Sequence, residues 1–452
     1  MLLLVVLENP SLFRLRDFRL PGVLVSAIAL VVLTPLPAVV DRYGESVPDA
    51  MVLSLAAGVA GWAMVFAAAG RVSGPTRRWT GSPLSRRIER TAVLWVVAVA
   101  VAILPVWLLA IDRIPLFELL GGASGIDVAL ARQNALLRLS PPVLRLAVGV
   151  IRNLYLPFAL AWFVSDWLLV DRRHARRRSV AGLAALVVAA VGVGYALVTT
   201  EKAVVGELAA VVVIAALVVR GRQLRVSHLA VLVPLAAAFP LLFFGLVSSG
   251  GLGERVVAAV HALWRRAFFV PDNVMTAYFR EFPARHDFLA GASIPKLGNL
   301  LAGETFDLSK HIFVRYFQSH PDLLGNANAG FFGVGWANFG PAGVVVWSLL
   351  AAVGVVWLDR LIGRLPVRSA AAVRGIAVVH VVLMTSTDVW RTALGFAPGV
   401  LDLALLGWFA VWLSRRRSVP RLPGLSRLGE PIADVPVGTV TDGDRRAPLP
   451  AR

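Results

Sequence analysis

The chain is 452 residues long, 58% hydrophobic and only 16% charged, an apolar share that excludes an ordinary water-soluble fold. Its formal charge of +18 resides in short arginine clusters between long apolar runs, where cations orient a membrane protein, and calls for no nucleic acid. Cysteine is absent, which excludes disulfides, thiolate metal sites and a cysteine nucleophile.

The pattern predicts an all-α polytopic membrane protein of about ten transmembrane helices. Residues 1–19 read as a cytoplasmic segment. The apolar run 1–7 is shorter than the roughly 20 residues a span needs and lacks the basic region and cleavage site of a signal peptide, so it reads as an inner-face segment or the remnant of a misplaced start. Spans are expected at 20–40, 50–70, 91–111, 144–170, 179–199, 203–219 and 226–247, then at 340–358, 369–387 and 394–413. A cytoplasmic N-terminus places the arginine clusters around residues 14–19, 71–90, 172–178, 220–225, 360–374 and 415–452 inside, and these hold most of the 45 Lys and Arg, as the positive-inside rule requires. Both termini are then cytoplasmic. The span 203–219 is short and carries Glu207, and the span 369–387 is expected to hold Arg374 at its inner end by snorkelling. Residues 414–452, rich in Arg, Pro and Gly, read as a basic disordered tail.

Two outer segments remain in this topology, 112–143 and the large loop 248–339. Ionisable groups gather toward the same side. Arg145 and Arg152 lie in the outer part of the fourth span, Glu201 and Lys202 in the turn between the fifth and sixth, Glu207 one helical turn deeper, Asp388 and Arg391 at the outer end of the ninth, and Asp402 shallow in the tenth. Charges at membrane depth suggest a site, and the group reads as the floor of an outward-facing cavity, although each residue alone also suits an interface anchor. Asp166 alone lies toward the inner side. The three lysines, Lys202, Lys296 and Lys310, all fall outside.

Within the large loop, residues 254–273 place Val256, Val257, Val260, Leu263 and Trp264 on one helical face and Arg255 with Arg266 on another, an amphipathic helix at the outer interface that Pro271, Asp272 and Asn273 are expected to end. The following segment offers Tyr278, Arg280, Arg285 and His286, with interfacial packing as the plain alternative for Tyr278 and Phe279. Residues 325–343 combine Asn326, Asn328 and Asn338 with glycines at 325, 330, 333, 335, 340 and 343. Glycine lets backbone approach backbone or ligand, and amide side chains suit sugar hydroxyls. No Gly-Lys-Ser/Thr ending makes this a phosphate-cradling Walker loop.

Four segments in order, IPLFELLGG…ALARQNALLR, TTEKAVVGELA, WRRAFFVPDNVMTAYFREFP and NANAGFFGVGWANFGPAG, resemble Wzy-type O-antigen or oligosaccharide repeat-unit polymerases across residues 114–358. The resemblance implies a GT-C-like enzyme of the bacterial inner membrane. Such an enzyme moves a glycan from polyprenyl diphosphate onto the non-reducing end of another lipid-linked repeat unit. Expected partners are that lipid-linked oligosaccharide, membrane lipid, a chain-length regulator and a flippase, and no nucleic acid.

The reaction develops negative charge on the leaving diphosphate, which arginine meets through bidentate contacts. Arg132, Lys202, Arg265 and Arg266 are the candidates there, with Arg280 and Arg391 in support and Tyr278, Asn326, Asn328 and Asn338 toward the sugars. No carboxylate or histidine cluster with metal spacing stands out, so no cofactor is expected and Arg and Lys take a divalent ion's place. His286, Asp272 or Asp388 could accept the acceptor-hydroxyl proton on chemistry alone. Rival readings are a ligase that transfers finished glycan to a terminal acceptor, a transporter or lipid flippase, which favours polar groups at the midplane, and a structural envelope partner.

Overall fold

The structure is a computed structural model that describes residues 18–33, 49–72, 83–137, 141–221, 251–294, 298–323 and 325–386. Every regular element among them is helical. The expected spans 226–247 and 394–413 and the tail 414–452 lie outside the described residues, as do Lys296, Asp388, Arg391 and Asp402.

Helix α1 (Leu20–Ile28) opens with Pro21 in its first turn, where a missing N–H costs nothing, and passes into a π turn over Ala29–Leu33. α2 spans Asp49–Val72 and α3 Pro83–Leu109. Two short helices, α4 (Pro115–Leu120) and α5 (Gly125–Leu137), follow in the segment 112–143. α6 (Pro142–Val150) runs through a π turn at Ile151–Tyr155 into α7 (Leu156–Leu169). α8 (Ala175–Thr199) and α9 (Lys202–Val219) meet at a tight turn in which Thr200 takes the left-handed conformation. Five helical stretches are long and apolar enough to cross a membrane: Met51–Gly70, Arg86–Leu109, Pro142–Leu169, Arg172–Thr199 and Gly330–Ile362. Leu20–Val32 and Val204–Val219 are shorter apolar helices. Large side chains such as Trp95, Leu109 and Leu186 point outward and are exposed, as a lipid-facing surface requires. The molecule is membrane-embedded.

The large loop departs from the sequence-based expectation. α10 (Leu252–Trp264) does not end at Pro271–Asn273. It continues through a π turn at Arg265–Phe269 into α11 (Val270–Glu281). A proline inside an α-helix removes one donor and pushes against the preceding turn. Here the wider turn makes room for the ring, with Val270 N–H bonding back to the Arg265 carbonyl just before Pro271. The same arrangement precedes Pro157, where Leu156 N–H reaches Ile151. The exposed face of α10, with Val256, Val257, Val260 and Trp264, is the expected amphipathic one.

After α12 (Gly298–Ala302) and α13 (Leu308–Ile312), with its own π turn at Phe313–Phe317, comes α14 (Gly330–Ile362), and then α15 (Val367–Leu383). The glycine-rich stretch is therefore mostly helix. α14 bends at Phe339 and at Gly340, whose φ of 61° no ordinary side chain takes comfortably, with Pro341 next. Across the bend a Cβ on Gly335 would lie 2.6 Å from the Gly343 carbonyl, so glycine serves the approach of backbone to backbone.

α14 packs along α2, α8 along α7, and α15 against α9, α7 and α1. At one end these helices are joined by buried charge. Asp359 on α14 accepts from Arg374 of α15 (2.7 Å), Arg19 (2.8 Å) and the Leu20 amide (3.2 Å), and Arg374 also donates to the Phe18 carbonyl. Arg374 is buried and paired, which corrects the expectation that it snorkels. Asp166 on α7 accepts from Arg86 of α3 and Arg368 of α15 (2.9 and 2.6 Å). Removing one partner of a buried pair strands the other charge, at a cost of about 3–5 kcal/mol. Asp359→Ala is therefore expected to lower the thermal unfolding midpoint in detergent far more than Arg87→Ala at an exposed inner position. Equal midpoints for the two variants would contradict the latch.

Candidate functional site

Two polar groups form on the side of the molecule away from the Asp359 latch. The first depends on α5. Ser124 and Asp127 cap its start, with the Ser124 hydroxyl 2.6 Å from the Asp127 carboxylate, a pairing that satisfies an open helix end. Its far end is pinned where Trp107 Nε1 donates to the Ala135 carbonyl (3.1 Å), and Trp107 stacks on Tyr195 of α8 at 5.1 Å. Arg132, one turn before Ala135, is thereby brought within electrostatic reach of Glu201 and Arg266. Burial lowers the Arg132 guanidinium below its ordinary range, Glu201 opposes the shift, and Arg266 adds to it.

Glu201 stands at the α8–α9 turn, 2.5 Å from Nη1 of Arg152. Glu207, in the second turn of α9, is within reach of Arg152 and Glu201. Arg132 and Arg152, from segments distant in the chain, thus share Glu201, Arg152 also reaches Glu207, and Arg266 lies within reach of Arg132, three guanidiniums against two carboxylates. Arg265 and Arg266 are exposed on the π turn, and Lys202 is the first residue of α9. A guanidinium cluster with surplus charge is a receptor for phosphate oxygens.

The second group centres on Glu281, which ends α11 with its side chain wholly buried (0% exposed). It accepts from His311 Nε2 (2.9 Å) and Tyr316 Oη (2.8 Å) and pairs with Arg315 (3.1 Å), while Arg285 donates to Tyr316 Oη (3.1 Å). Burial would raise the Glu281 carboxyl, but the hydrogen bonds from His311 and Tyr316 and the charge of Arg315 outweigh it and hold it below the usual value. His286 packs against Phe282, Phe306 and His311, the two imidazoles 5.8 Å apart by ring centroids, and donates from Nδ1 to the Asp287 carbonyl. Each imidazole therefore keeps its other nitrogen for a ligand. Glu281, His311, Arg315 and Tyr316 were not anticipated, since no motif joins a helix-ending glutamate to a turn thirty residues on.

Other anticipated residues belong to the frame. Tyr278 is 1% exposed, and its hydroxyl donates to the Ala327 carbonyl (2.6 Å). Asn338 is 0% exposed, with its amide donating to Ser293 Oγ and the Val334 carbonyl (2.7 and 2.8 Å). Both are corrected from sugar contacts to supports, because their polar atoms are consumed inside the protein. Phe279 stacks on Trp336 (4.4 Å), which donates to the Phe282 carbonyl, so the bent first half of α14 seats α11. Asn326 is exposed and accepts from Ser309, while Asn328 and Arg280 are half-buried. Asp272 is fully buried, and burial pushes its carboxyl up to about 8. Asp388 and Arg391 lie outside the described residues. Among the described residues no three His, Asp or Glu side chains are placed to hold a metal ion.

The depressed Glu281 value has a definite sign. Its stabilisation is present above the ordinary value of 4.5 and is lost as pH falls through the lower folded value. Melting curves from neutral pH down to about pH 3 should show Glu281→Gln with a lower midpoint at neutral pH and a flatter acid limb than the wild type. Parallel acid limbs would remove Glu281 from the account.

No protein-family model, curated protein or solved structure matches the chain.

Proposed function

We propose that the chain is a glycan polymerase of the inner membrane, joining polyprenyl-diphosphate-linked oligosaccharide repeat units on the extracytoplasmic side with both termini in the cytoplasm and about ten spans in a GT-C-like arrangement. The observation that carries the reading is the meeting of Arg132 and Arg152 at Glu201, with Arg266 within electrostatic reach of Arg132. In the reaction an acceptor hydroxyl oxygen attacks the anomeric carbon of the donor, the bond from that carbon to the phosphate oxygen breaks, and the diphosphate leaves with the electron pair. Arg132 and Arg266 meet the developing charge on the diphosphate, with Arg265 and Lys202 beside them. The arginines then do the work of neutralisation that a divalent cation does in other phosphate chemistry.

The hydroxyl proton passes to the histidine pair at Glu281. Glu281 accepts from Nε2 of His311 and so holds the ring with Nδ1 as the base, the orienting role a carboxylate plays for a catalytic imidazole. The half-exposed Asn326–Asn328 stretch, next to Ser309 on the same side, offers donors and acceptors to sugar hydroxyls.

The test is polymerisation of a purified lipid-linked single repeat, read as a ladder on a gel. Arg132→Ala and Arg266→Ala are each expected to lose about 10²-fold or more in rate while inserting normally, and wild-type rates in both would overturn the leaving-group assignment. One transfer without a ladder would point instead to a ligase. Because the chain has no native cysteine, Arg266→Cys and Asn328→Cys report topology directly. Both should react with a membrane-impermeant maleimide from the extracytoplasmic side, and reaction only from the cytoplasm would reverse the orientation and remove the reading with it.

A further inference from the structure

Within α11, Asp272 and Thr276 stand one helical turn apart, on the same face, and are 0% and 1% exposed. Neither Asp272 carboxylate oxygen and not the Thr276 hydroxyl has a hydrogen-bond partner. Three buried oxygens without a donor are costly in a low-dielectric interior, and they call for something that accepts their lone pairs. Among the described residues, the elements packed against α11 supply no counter-charge. The first half of α14, residues 330–339, contains no ionisable side chain, and the π turn Ala29–Leu33 of α1 is wholly apolar. Arg265 and Arg266 on the preceding turn are exposed, Lys310 on α13 is exposed, and His311 is committed to Glu281.

The local backbone adds another oxygen. Pro271 has no N–H to give, so a carbonyl of the preceding π turn is left without its helical donor. The Cα–Cβ bond of Asp272 tilts back along that turn.

We infer that Asp272 and Thr276 form a binding site for a monovalent alkali cation of sodium size, which the carboxylate, the hydroxyl and the backbone carbonyl hold between α11 and the outer end of α1. All the donors are hard oxygens, with no imidazole or thiolate among them. A single carboxylate balances one positive charge, whereas a divalent ion would leave a net charge buried and seeks more oxygens and more carboxylates than this pocket has. The site begins six residues beyond Arg266 on the same bent rod, so an ion bound there fixes the π turn that carries the arginine. The inference does not depend on the glycan reading.

The experiment is thermal unfolding of the purified full chain in detergent, titrated with NaCl against choline chloride at constant ionic strength. Sodium should raise the wild-type midpoint saturably, by about 4 °C or more near saturation. Asp272→Asn, which keeps the shape and removes the charge, should abolish the sodium-specific shift, and Thr276→Val should weaken the apparent affinity about tenfold, the loss of one oxygen ligand. If Asp272→Asn does not assemble, Thr276→Val carries the test. An identical response of the wild type to sodium and choline would overturn the inference and leave Asp272 as a protonated or hydrated carboxyl. A sodium shift retained in Asp272→Asn, or a shift produced by MgCl2 and not by NaCl, would overturn it equally.

Discussion

The buried carboxylate of Asp359 sets the arrangement on which the opposite half of the molecule depends. Three helices reach it, through Arg19 before α1, Arg374 on α15 and α14 itself. Two guanidiniums and a backbone amide satisfy an anion that would otherwise be intolerable among apolar side chains. Breaking apolar contacts between membrane helices changes little, because lipid is as apolar as the partner helix. A buried ion pair has no such substitute in the bilayer. It therefore specifies which helices meet and in what rotation, and Asp166, shared by Arg86 and Arg368, does the same for α3, α7 and α15.

α14 transmits that arrangement outward. Its inner part lies along α2, with Trp62 donating to the Ser348 carbonyl. Beyond the bend at Phe339 and Gly340 its outer part receives α11 through the Phe279–Trp336 stack and the Trp336–Phe282 hydrogen bond. Glu281 and Arg266 lie on the rod that α10 and α11 make together, so the position of both polar groups follows from the seat on α14. The π turns at Ile151–Tyr155 and Arg265–Phe269 have a related role. Each lets a helix continue past a proline, and the turn before Pro271 presents Arg265 and Arg266 at the surface while the same rod buries Asp272.

The polar residues of the large loop divide by whether their hydrogen-bonding capacity is used. Tyr278 and Asn338 are buried and satisfied, which is the signature of support. His286 and His311 each commit one nitrogen to the protein and retain the other, and Arg315 and Arg285 surround a carboxylate that holds its negative charge. Chemistry belongs to groups of the second kind, because a ligand can be recognised only by capacity the fold has not already consumed.

The sequence by itself determined that this is a helical membrane protein and where most of its described apolar helices run, although α3 and α14 begin two or more turns before the expected spans, and that polar residues gather in the segments 112–143 and 248–339. Those features follow from composition and local periodicity, since a span is recognisable from its own residues. Arg132 and Arg266 were anticipated together at one site, but not that Glu201 and Arg152 stand beside Arg132, and the hub around Glu281, His311 and Tyr316 was not anticipated at all. Helix breaks at proline and glycine were legible as positions but not as outcomes, because a π turn or a sharp bend is chosen by what packs beside it. Tertiary structure alone decided which buried polar groups are satisfied, since hydrogen bonds and ion pairs between residues as far apart as Phe18 and Arg374 depend on three-dimensional proximity that no local pattern encodes.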